Sequence, residues 1–520
     1  MAKYDFIIVG SGFGGAVAAC RLAQAGQRVL VLERGRRWDE NTYPSVTNKD
    51  WIYDIKEPER QSGWMDIRWF SDMAVVQGAG VGGGSLIYAN VSVPPPDTTF
   101  KTGWPDGIDA EELDPFVEEV GRMLEVSEIP ENQRTRRWGF VERGARELGH
   151  SERFRSLPLA VQFDPGYNPD SLEDPHDERH AVPRENNAGV KQKTCIHLGE
   201  CDMGCKVRAK NTLDLNYLAL AAEKGAEIRP LHLVSHVEPS GAGWRVHYDE
   251  IAGKKRRSDW MEAKHVVLAA GSLGSTEIML RSQLSDVSAR LGFGWSANGD
   301  FLTPAISDQD ANPTFGPTIS ACIDHTDGAV YGEHIFIQDG GMPNLLRTAV
   351  GNWHSRLPKR WQRRTQCLMD RVSDSQPLNC IMPWFAQGID ASDGRLHLRR
   401  RFFGMLGHRR LKLDWDITHS ESTINAIVKA HKELARATGG KPLVSPTWTL
   451  LRDLITPHPL GGCNMADDRN RGVVDHAGRV FGAEGLYIVD GSIVPRAIGR
   501  NPSRTIAALA ERAVKHWQAA

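Results

Sequence analysis

Two uninterrupted apolar runs, Phe6-Ile7-Ile8-Val9 and Val29-Leu30-Val31-Leu32, bracket an Ala-rich stretch from Gly14 to Ala25. Continuous apolar runs of this length predict strands buried on both faces of a parallel sheet, and the stretch between them predicts a helix. The same pattern recurs at His265–Ala269 and Tyr487–Val489, each ending in a glycine turn. Elsewhere the period changes. Arg395–Leu398 and Arg410–Trp415 alternate with period two and predict antiparallel strands with one wet face, while Trp244–Tyr248 predicts a strand of a small β element. Ile424, Ile427, Val428 and His431 share a helical face, as do Ile506, Leu509, Ala510, Ala513 and Trp517. Residues 102–161 are patterned as amphipathic helix (Ala110–Val117 is an example), and Leu215–Lys224 predicts a helix before a strand near Glu227-Ile228. Residues 166–190 are polar and Pro-rich, a long surface loop that could cover a substrate entrance or simply be an excursion.

Composition narrows the class. At 520 residues length alone suggests about three domains, and the net charge of −2 gives no bulk electrostatic case for nucleic acid. Eight cysteines are too sparse for a disulfide scaffold and fit a reducing compartment. The first strand begins within a few residues of Met1, no leader precedes it, and no apolar run is long enough to span a bilayer, so a soluble, cytoplasmic enzyme is expected. Basic residues Arg356, Lys359, Arg360, Arg363 and Arg364, interleaved with Trp353, Leu357 and Trp361, read either as a solvated helix face or as a peripheral contact with an anionic membrane.

The turn after the first strand is Gly10-Ser11-Gly12-Phe13-Gly14-Gly15. Within a βαβ unit this spacing binds a dinucleotide: Gly10 makes the tight turn, Gly12 admits a pyrophosphate, Gly15 lets helix and strand pack, and the helix N-terminus faces the phosphates. Glu33 ends the second strand and suits a ribose diol. With Arg34 following it, the acid still argues against a 2′-phosphate and for the free hydroxyls of FAD or NAD. A second glycine-rich element, Gly78–Asn90, contains Gly80, Gly82, Gly83, Gly84 and Ser85 and is suited to lying against a flat or phosphorylated ligand. Cys195, Cys201 and Cys205, with His197 nearby, read as reduced structural thiols or, alternatively, as ligands of zinc or of part of an iron–sulfur cluster. His458 stands between two prolines before Gly461-Gly462-Cys463. Asp490-Gly491 follows the last strand, and Asn501-Pro502 reads as N-cap and first position of the last helix, with Thr505 in its first turn.

The two glycine-rich elements together with His458-Pro459-Leu460-Gly461-Gly462-Cys463 and Gly499-Arg500-Asn501-Pro502 resemble the glucose–methanol–choline (GMC) oxidoreductases. The resemblance implies FAD as cofactor and a discontinuous FAD-binding domain over 1–45, 70–100, 195–300 and 460–520. A substrate domain over 46–69, 101–194 and 301–459 is expected to be a mostly antiparallel sheet backed by helices. The expected fold is therefore α/β with a mixed α+β second part. The resemblance places cofactor contacts on the residues named above and on Phe13, Asn90, the backbone of Val234, Ala270 and Gly271, and active-site roles on His458 and Asn501. The His–Asn version is similar to cholesterol oxidases that hold FAD noncovalently. Those enzymes also carry a Glu in an aromatic–small–Glu strand, matched by Tyr331-Gly332-Glu333, although Tyr88 stands where they have a smaller amide. The implied reaction is oxidation of a secondary alcohol by hydride transfer to flavin N5, on a sterol-like or other bulky apolar alcohol. His458 takes or positions the hydroxyl proton, Asn501 hydrogen-bonds the substrate oxygen, and Glu333 shuttles a proton if a double bond migrates. The electron acceptor is oxygen or another oxidant. A GMC dehydrogenase for polar alcohols that passes electrons to a protein partner, a flavin-binding sensor, and a ketosteroid reductase or isomerase remain open alternatives.

Overall fold

The computed structural model describes residues 3–43, 51–71, 73–241, 243–343, 377–399, 409–443 and 454–518. The basic, Trp-containing stretch 353–364 lies outside the described residues.

The apolar runs are parallel strands, as their pattern predicts. β1 (Tyr4–Val9) leads through α1 (Phe13–Gln24) to β2 (Val29–Leu32), and β3 (Glu227–Arg229) flanks β2 in parallel. Three long strands follow: β4 (His232–Ser240), β5 (Gly243–Ala252) and β6 (Lys255–Leu268). They form an antiparallel meander, and β6 then runs beside β1 in parallel from Ala263 onward. Lys264–Leu268, which the pattern also places in the small β element with Trp244–Tyr248, belongs instead to the parallel core, while Lys255–Ala263 forms the antiparallel meander. One 14-residue strand serves both, and its burial changes from exposed to fully buried along its length. After α2 (Gly271–Ser282), β7 (Leu486–Ile488) pairs with β6 and completes the parallel sheet, and α3 (Ser503–Gln518) packs on α1. Ala16, Val17, Ala18 and Ala19 of α1 are fully buried, since small side chains let helix and sheet approach closely.

The second layer is a six-stranded antiparallel sheet in the order Gly440–Pro442, Phe301–Ser307, Ile381–Gly388, Ile335–Asp339, Ala321–His325, Phe154–Ser156. Helices Arg136–Glu147 and Glu421–Ala437 cover one face. Arg137 and Asp339 form a fully buried ion pair there at 2.7 Å. The guanidinium also donates to the carbonyls of Phe315, Pro317 and Thr318, so neither charge is left bare. The helical pattern of 102–161 resolves into two helices, Ala110–Met123 and Arg136–Glu147, separated and followed by short strands. The alternating stretches pair as Gly394–Arg399 with Arg410–Asp414, but they join Phe293–Trp295 in a separate three-stranded sheet rather than the six-stranded one. The Pro-rich segment 166–190 contains short helical turns, and Pro183–Glu185 pairs with Lys191–Lys193 as a hairpin.

Candidate active site

The glycine turn after β1 needs its glycines for different reasons. Gly10 sits at φ +97°, where an L side chain is strained, and a Cβ on Gly14 would lie 1.7 Å from the Val489 carbonyl oxygen. Gly15 meets the Gly10 carbonyl, and Gly12 faces only Gly83 of the second glycine-rich element, so the two loops abut backbone to backbone. Gly12 caps α1 without a side-chain bond, which leaves its first amides for a ligand. Glu33 Oε2 accepts from Ser11 N (3.1 Å) and Ser11 Oγ (2.6 Å), and Oε1 accepts from Gly35 N (2.9 Å). Ser11 Oγ in turn contacts Gly80 O and accepts from Gly82 N, so Glu33 ties both loops together while Oε1 keeps a lone pair. The Arg34 guanidinium donates to Asp66 (2.6 Å) and to the Gly78 carbonyl. Ser85 Oγ donates to Gly82 O and accepts from Leu213 N. Gly84 lies beside the Phe13 ring. Val234 pairs with Tyr248 immediately before an irregularity in β4.

At the other end of the sheet, Asp490 Oδ2 accepts from Gly271 N (2.8 Å) and Ser275 Oγ (2.5 Å), and Oδ1 accepts from Ser492 N (2.8 Å). Ser275 Oγ also takes the amide of Ala270. Burial pushes the Asp490 carboxyl above the usual range. Gly491 O accepts from Gly461 N, which joins this turn to the His458 loop. Several buried polar groups on these elements have no protein partner: both amide atoms of Asn90, Ser492 Oγ and Thr505 Oγ1. A desolvated donor or acceptor left unpaired costs about 1–3 kcal/mol. A ligand with hydroxyls and a polar ring edge, as FAD has, is a fitting partner for them.

The catalytic candidates stand on the face of the six-stranded sheet away from its helices. Gln338 is opposite Phe385, and Phe385 is opposite Leu302, so these three side chains share a face. The His458 ring lies 6.2 Å from the Phe385 ring, and Gln338 Nε2 donates to Asn501 Oδ1 at 2.7 Å. His458 and Asn501 are thereby brought to the same wall. Asn501 is not the N-cap that its sequence suggests. Ile506 N bonds to Pro502 O, α3 begins at Ser503, and the Asn501 side chain turns to Gln338 instead of to the helix amides. His458 Nδ1 meets Asp300 Oδ1 at 2.8 Å, while Thr456 Oγ1 donates to Asp300 Oδ2 at 2.6 Å and accepts from His458 N. Burial raises the Asp300 carboxyl above its ordinary range, and the adjacent imidazole pulls it partway back. Asp300 and Gln338 escape a sequence reading: each is more than 150 residues from its partner, as the separations of 158 and 163 show, and no spacing marks them.

Glu333 lies in the turn before Ile335–Asp339 and accepts from Thr423 Oγ1 at 2.9 Å. The same hydroxyl bonds the Ile389 carbonyl, and the Ile389 side chain lies against Gly499 at the head of the Asn501 loop. The wall near His458 is apolar and partly open, with Leu302 47% exposed.

The cysteine segment lies against the second glycine-rich element, where Lys210 Nζ donates to both Cys201 O and Leu86 O. Cys195, Cys201 and Cys205 are free thiols, and Cys195 and Cys205 pack with Tyr167, Ile196 and Val207. Among the described residues no group of three or more His, Cys, Asp or Glu side chains is arranged to hold a metal ion. Within the loop, burial pushes the Asp202 carboxyl from 3.8 up to about 6. The fold favours its protonated form, so that contribution to stability is complete below about pH 4 and lost as pH rises through about 6. Asp202→Asn, which cannot ionise, should flatten this window and raise the melting temperature at about pH 8. Parallel melting curves for the two proteins across that range would contradict the assignment.

A family model described as GMC oxidoreductase matches residues 180–294, a second of the same description matches 390–510, and one described as an NAD(P)-binding Rossmann-like domain matches 8–44. A cholesterol oxidase of Acinetobacter baumannii is 30% identical over 99% of this chain and 94% of its own. A cholesterol oxidase of Mycobacterium tuberculosis is 31% identical over 99% and 91%. A long-chain-alcohol oxidase of Arabidopsis thaliana is 24% identical over 97% of this chain and 66% of its own. Among solved structures, pyridoxine 4-oxidase from Mesorbium loti has the same fold, with a TM-score of 0.63 at 16% identity over the whole of both chains. Among the described residues no helix is long and apolar enough to cross a membrane.

Proposed function

This chain belongs to the GMC oxidoreductase family and is an FAD-dependent enzyme of alcohol oxidation, and on that premise we propose that it oxidises the secondary hydroxyl of a sterol-like or other bulky apolar alcohol to a ketone, with oxygen as the acceptor. The observation that carries this reading is the pairing of His458 and Asn501 on a wall made of Phe385 and Leu302. Such a wall accepts an extended apolar body and offers polar groups only where the hydroxyl must lie. The named relatives support the substrate class, since two are cholesterol oxidases and a third is a long-chain-alcohol oxidase.

The glycine turns at Gly10–Gly15 and Gly80–Gly84, with Glu33, Asn90, Val234, Gly271, Asp490 and Thr505, would hold FAD, which supplies the hydride acceptor when bound. The chain's own work is at the hydroxyl. His458 has Nδ1 engaged by Asp300, which leaves Nε2 to take the hydroxyl proton, directly or through water. The Asn501 amide, steadied by Gln338, holds the substrate oxygen. The nearby N-terminus of α3 favours negative charge in the site. Glu333 would move a proton between ring carbons if the substrate is a 3β-hydroxysteroid with an adjacent double bond.

Anaerobic mixing with cholesterol, dodecan-1-ol, benzyl alcohol and glucose tests the reading. Cholesterol should bleach the flavin fastest and glucose should leave it oxidised, whereas bleaching by glucose alone would reverse the assignment. Glu333→Gln should still bleach with cholesterol but release the unconjugated ketone, measured by the absorbance of the conjugated enone. Unchanged enone formation would remove Glu333 from the chemistry.

A further inference from the structure

The two active-site residues come from separate loops, and one buried turn between strands Phe293–Trp295 and Phe301–Ser307 bonds both of them. Toward the histidine loop, Ser296 exchanges two backbone bonds with Leu460, each of 3.0 Å, and Ala297 O lies 3.0 Å from Thr456 Oγ1. Asp300 then takes His458 Nδ1 and the Thr456 hydroxyl. Toward the asparagine loop, Asn298 Oδ1 accepts from Ile498 N and Gly499 N, and its Nδ2 donates to Arg500 O, each at 2.9 Å. The turn is itself held by Asp390, which accepts from Ala297 N, Gly299 N and Ser296 Oγ. Asn298 adopts φ 56°, a left-handed conformation in which Asn is among the most tolerated non-glycine residues. Ser296, Asn298 and Asp300 are 0–2% exposed, so these bonds are shielded from water.

We propose that the turn Ser296–Asp300 is the positioning element for the catalytic pair: Asp300 fixes the ring orientation and tautomer of His458, and Asn298 fixes the loop that carries Asn501. This rests on the reading of His458 as the base. An imidazole can carry its neutral proton on either nitrogen. A carboxylate acceptor at Nδ1 keeps the proton there and leaves the Nε2 lone pair free. The groups against the ring are Asp300 from the turn and the Phe385 ring from the sheet, while the Thr456 hydroxyl accepts from the His458 backbone amide. Among the described residues no other charged side chain bonds the imidazole. The pair of anchors also explains why one turn should be so heavily tethered. Any drift in it would move base and amide together, and their separation sets where the substrate hydroxyl can sit.

The test uses the FAD-loaded enzyme and the alcohol that bleaches the wild-type flavin fastest in the panel above. Asp300→Asn keeps the size and a hydrogen-bonding group but removes the charge. It should retain FAD and its melting temperature, bind substrate with unchanged Kd, and reduce flavin about 10–100-fold more slowly. Its solvent deuterium isotope effect on that rate should rise as proton removal becomes limiting, a change that loss of mere loop support would not cause. Thr456→Val, which releases the same carboxylate from its second tether without altering its charge, should slow reduction less and show the same isotope signature. Asn298→Ala should weaken substrate binding and slow reduction with no new isotope effect. His458→Ala separates the two layers of the argument. If it is slow while Asp300→Asn and Thr456→Val run at the wild-type rate with unchanged isotope effects, the role of the turn is overturned and the base survives. If His458→Ala itself runs at the wild-type rate, both fall.

Discussion

His458→Ala should reduce the rate of anaerobic flavin reduction by at least about 100-fold, because general-base removal of a hydroxyl proton contributes on the order of 10²–10⁴. The ring is only 17% exposed and has Nδ1 committed to Asp300, so Nε2 is the nitrogen left for a substrate. The substitution also leaves a buried carboxylate with Thr456 as its remaining partner, so some loss of thermal stability should accompany it. The two effects are separable. His458→Gln fills most of the volume and offers Asp300 an amide donor, and should recover stability without recovering the rate. Stopped-flow bleaching of the flavin band, with FAD content measured on the same samples, reads both. Flavin reduction within about threefold of wild type in both variants would remove the histidine from the chemistry, since even a weak proton acceptor contributes more than that. Asn501→Ala should follow at a similar scale. It would also leave the Gln338 amide without its partner, so Gln338→Ala is expected to reproduce part of the loss.

What the chain discloses about itself depends on how far apart the interacting residues are. The βαβ unit is legible because its constraints are local: four apolar residues, a glycine turn and an Ala-rich helix each dictate backbone geometry within a few positions. His458 and Asn501 are legible only because their loops carry motif residues on both sides. The residues that aim them are not legible. Asp300, Asn298 and Gln338 look like ordinary polar residues in their own neighbourhoods, and they acquire a role only when the antiparallel sheet folds across the C-terminal loops. Asn501 shows the reverse error. Asn-Pro before a helix satisfies every local criterion for a cap, yet the tertiary partner Gln338 takes the side chain and the helix starts one residue later, at Ser503. The alternating strand Arg410–Asp414 was legible as a strand but not as a member of a particular sheet, because alternation reports which face is wet and not which edge it joins.

The glycine turn gives a sharper test of how cofactor binding depends on the fold, because Gly12 and Gly14 should fail differently. A Cβ on Gly14 would lie 1.7 Å from the Val489 carbonyl oxygen and 2.6 Å from its carbon. Both are backbone atoms at the end of β7, so no rotamer change relieves the clash. α1 must move away from the sheet, and the Asp490 turn that follows Val489 moves with it. Gly14→Ala should therefore be recovered poorly, melt well below wild type and carry no FAD. Gly12 is different: a Cβ there would meet only the Gly83 Cα, at 4.0 Å, which the fold tolerates. That methyl instead occupies the face where the two glycine loops and the free amides of α1 meet, the approach a pyrophosphate must use. Gly12→Ala should fold with near wild-type circular dichroism, lack the flavin absorbance, and bind added FAD at least about tenfold more weakly, a loss of about 1.4 kcal/mol. Full FAD occupancy in Gly12→Ala would move the pyrophosphate off this turn. Wild-type stability in Gly14→Ala would mean that α1 can withdraw from β7 without cost, contrary to the close packing of Gly14 against Val489 on which the placement of the whole C-terminal loop depends.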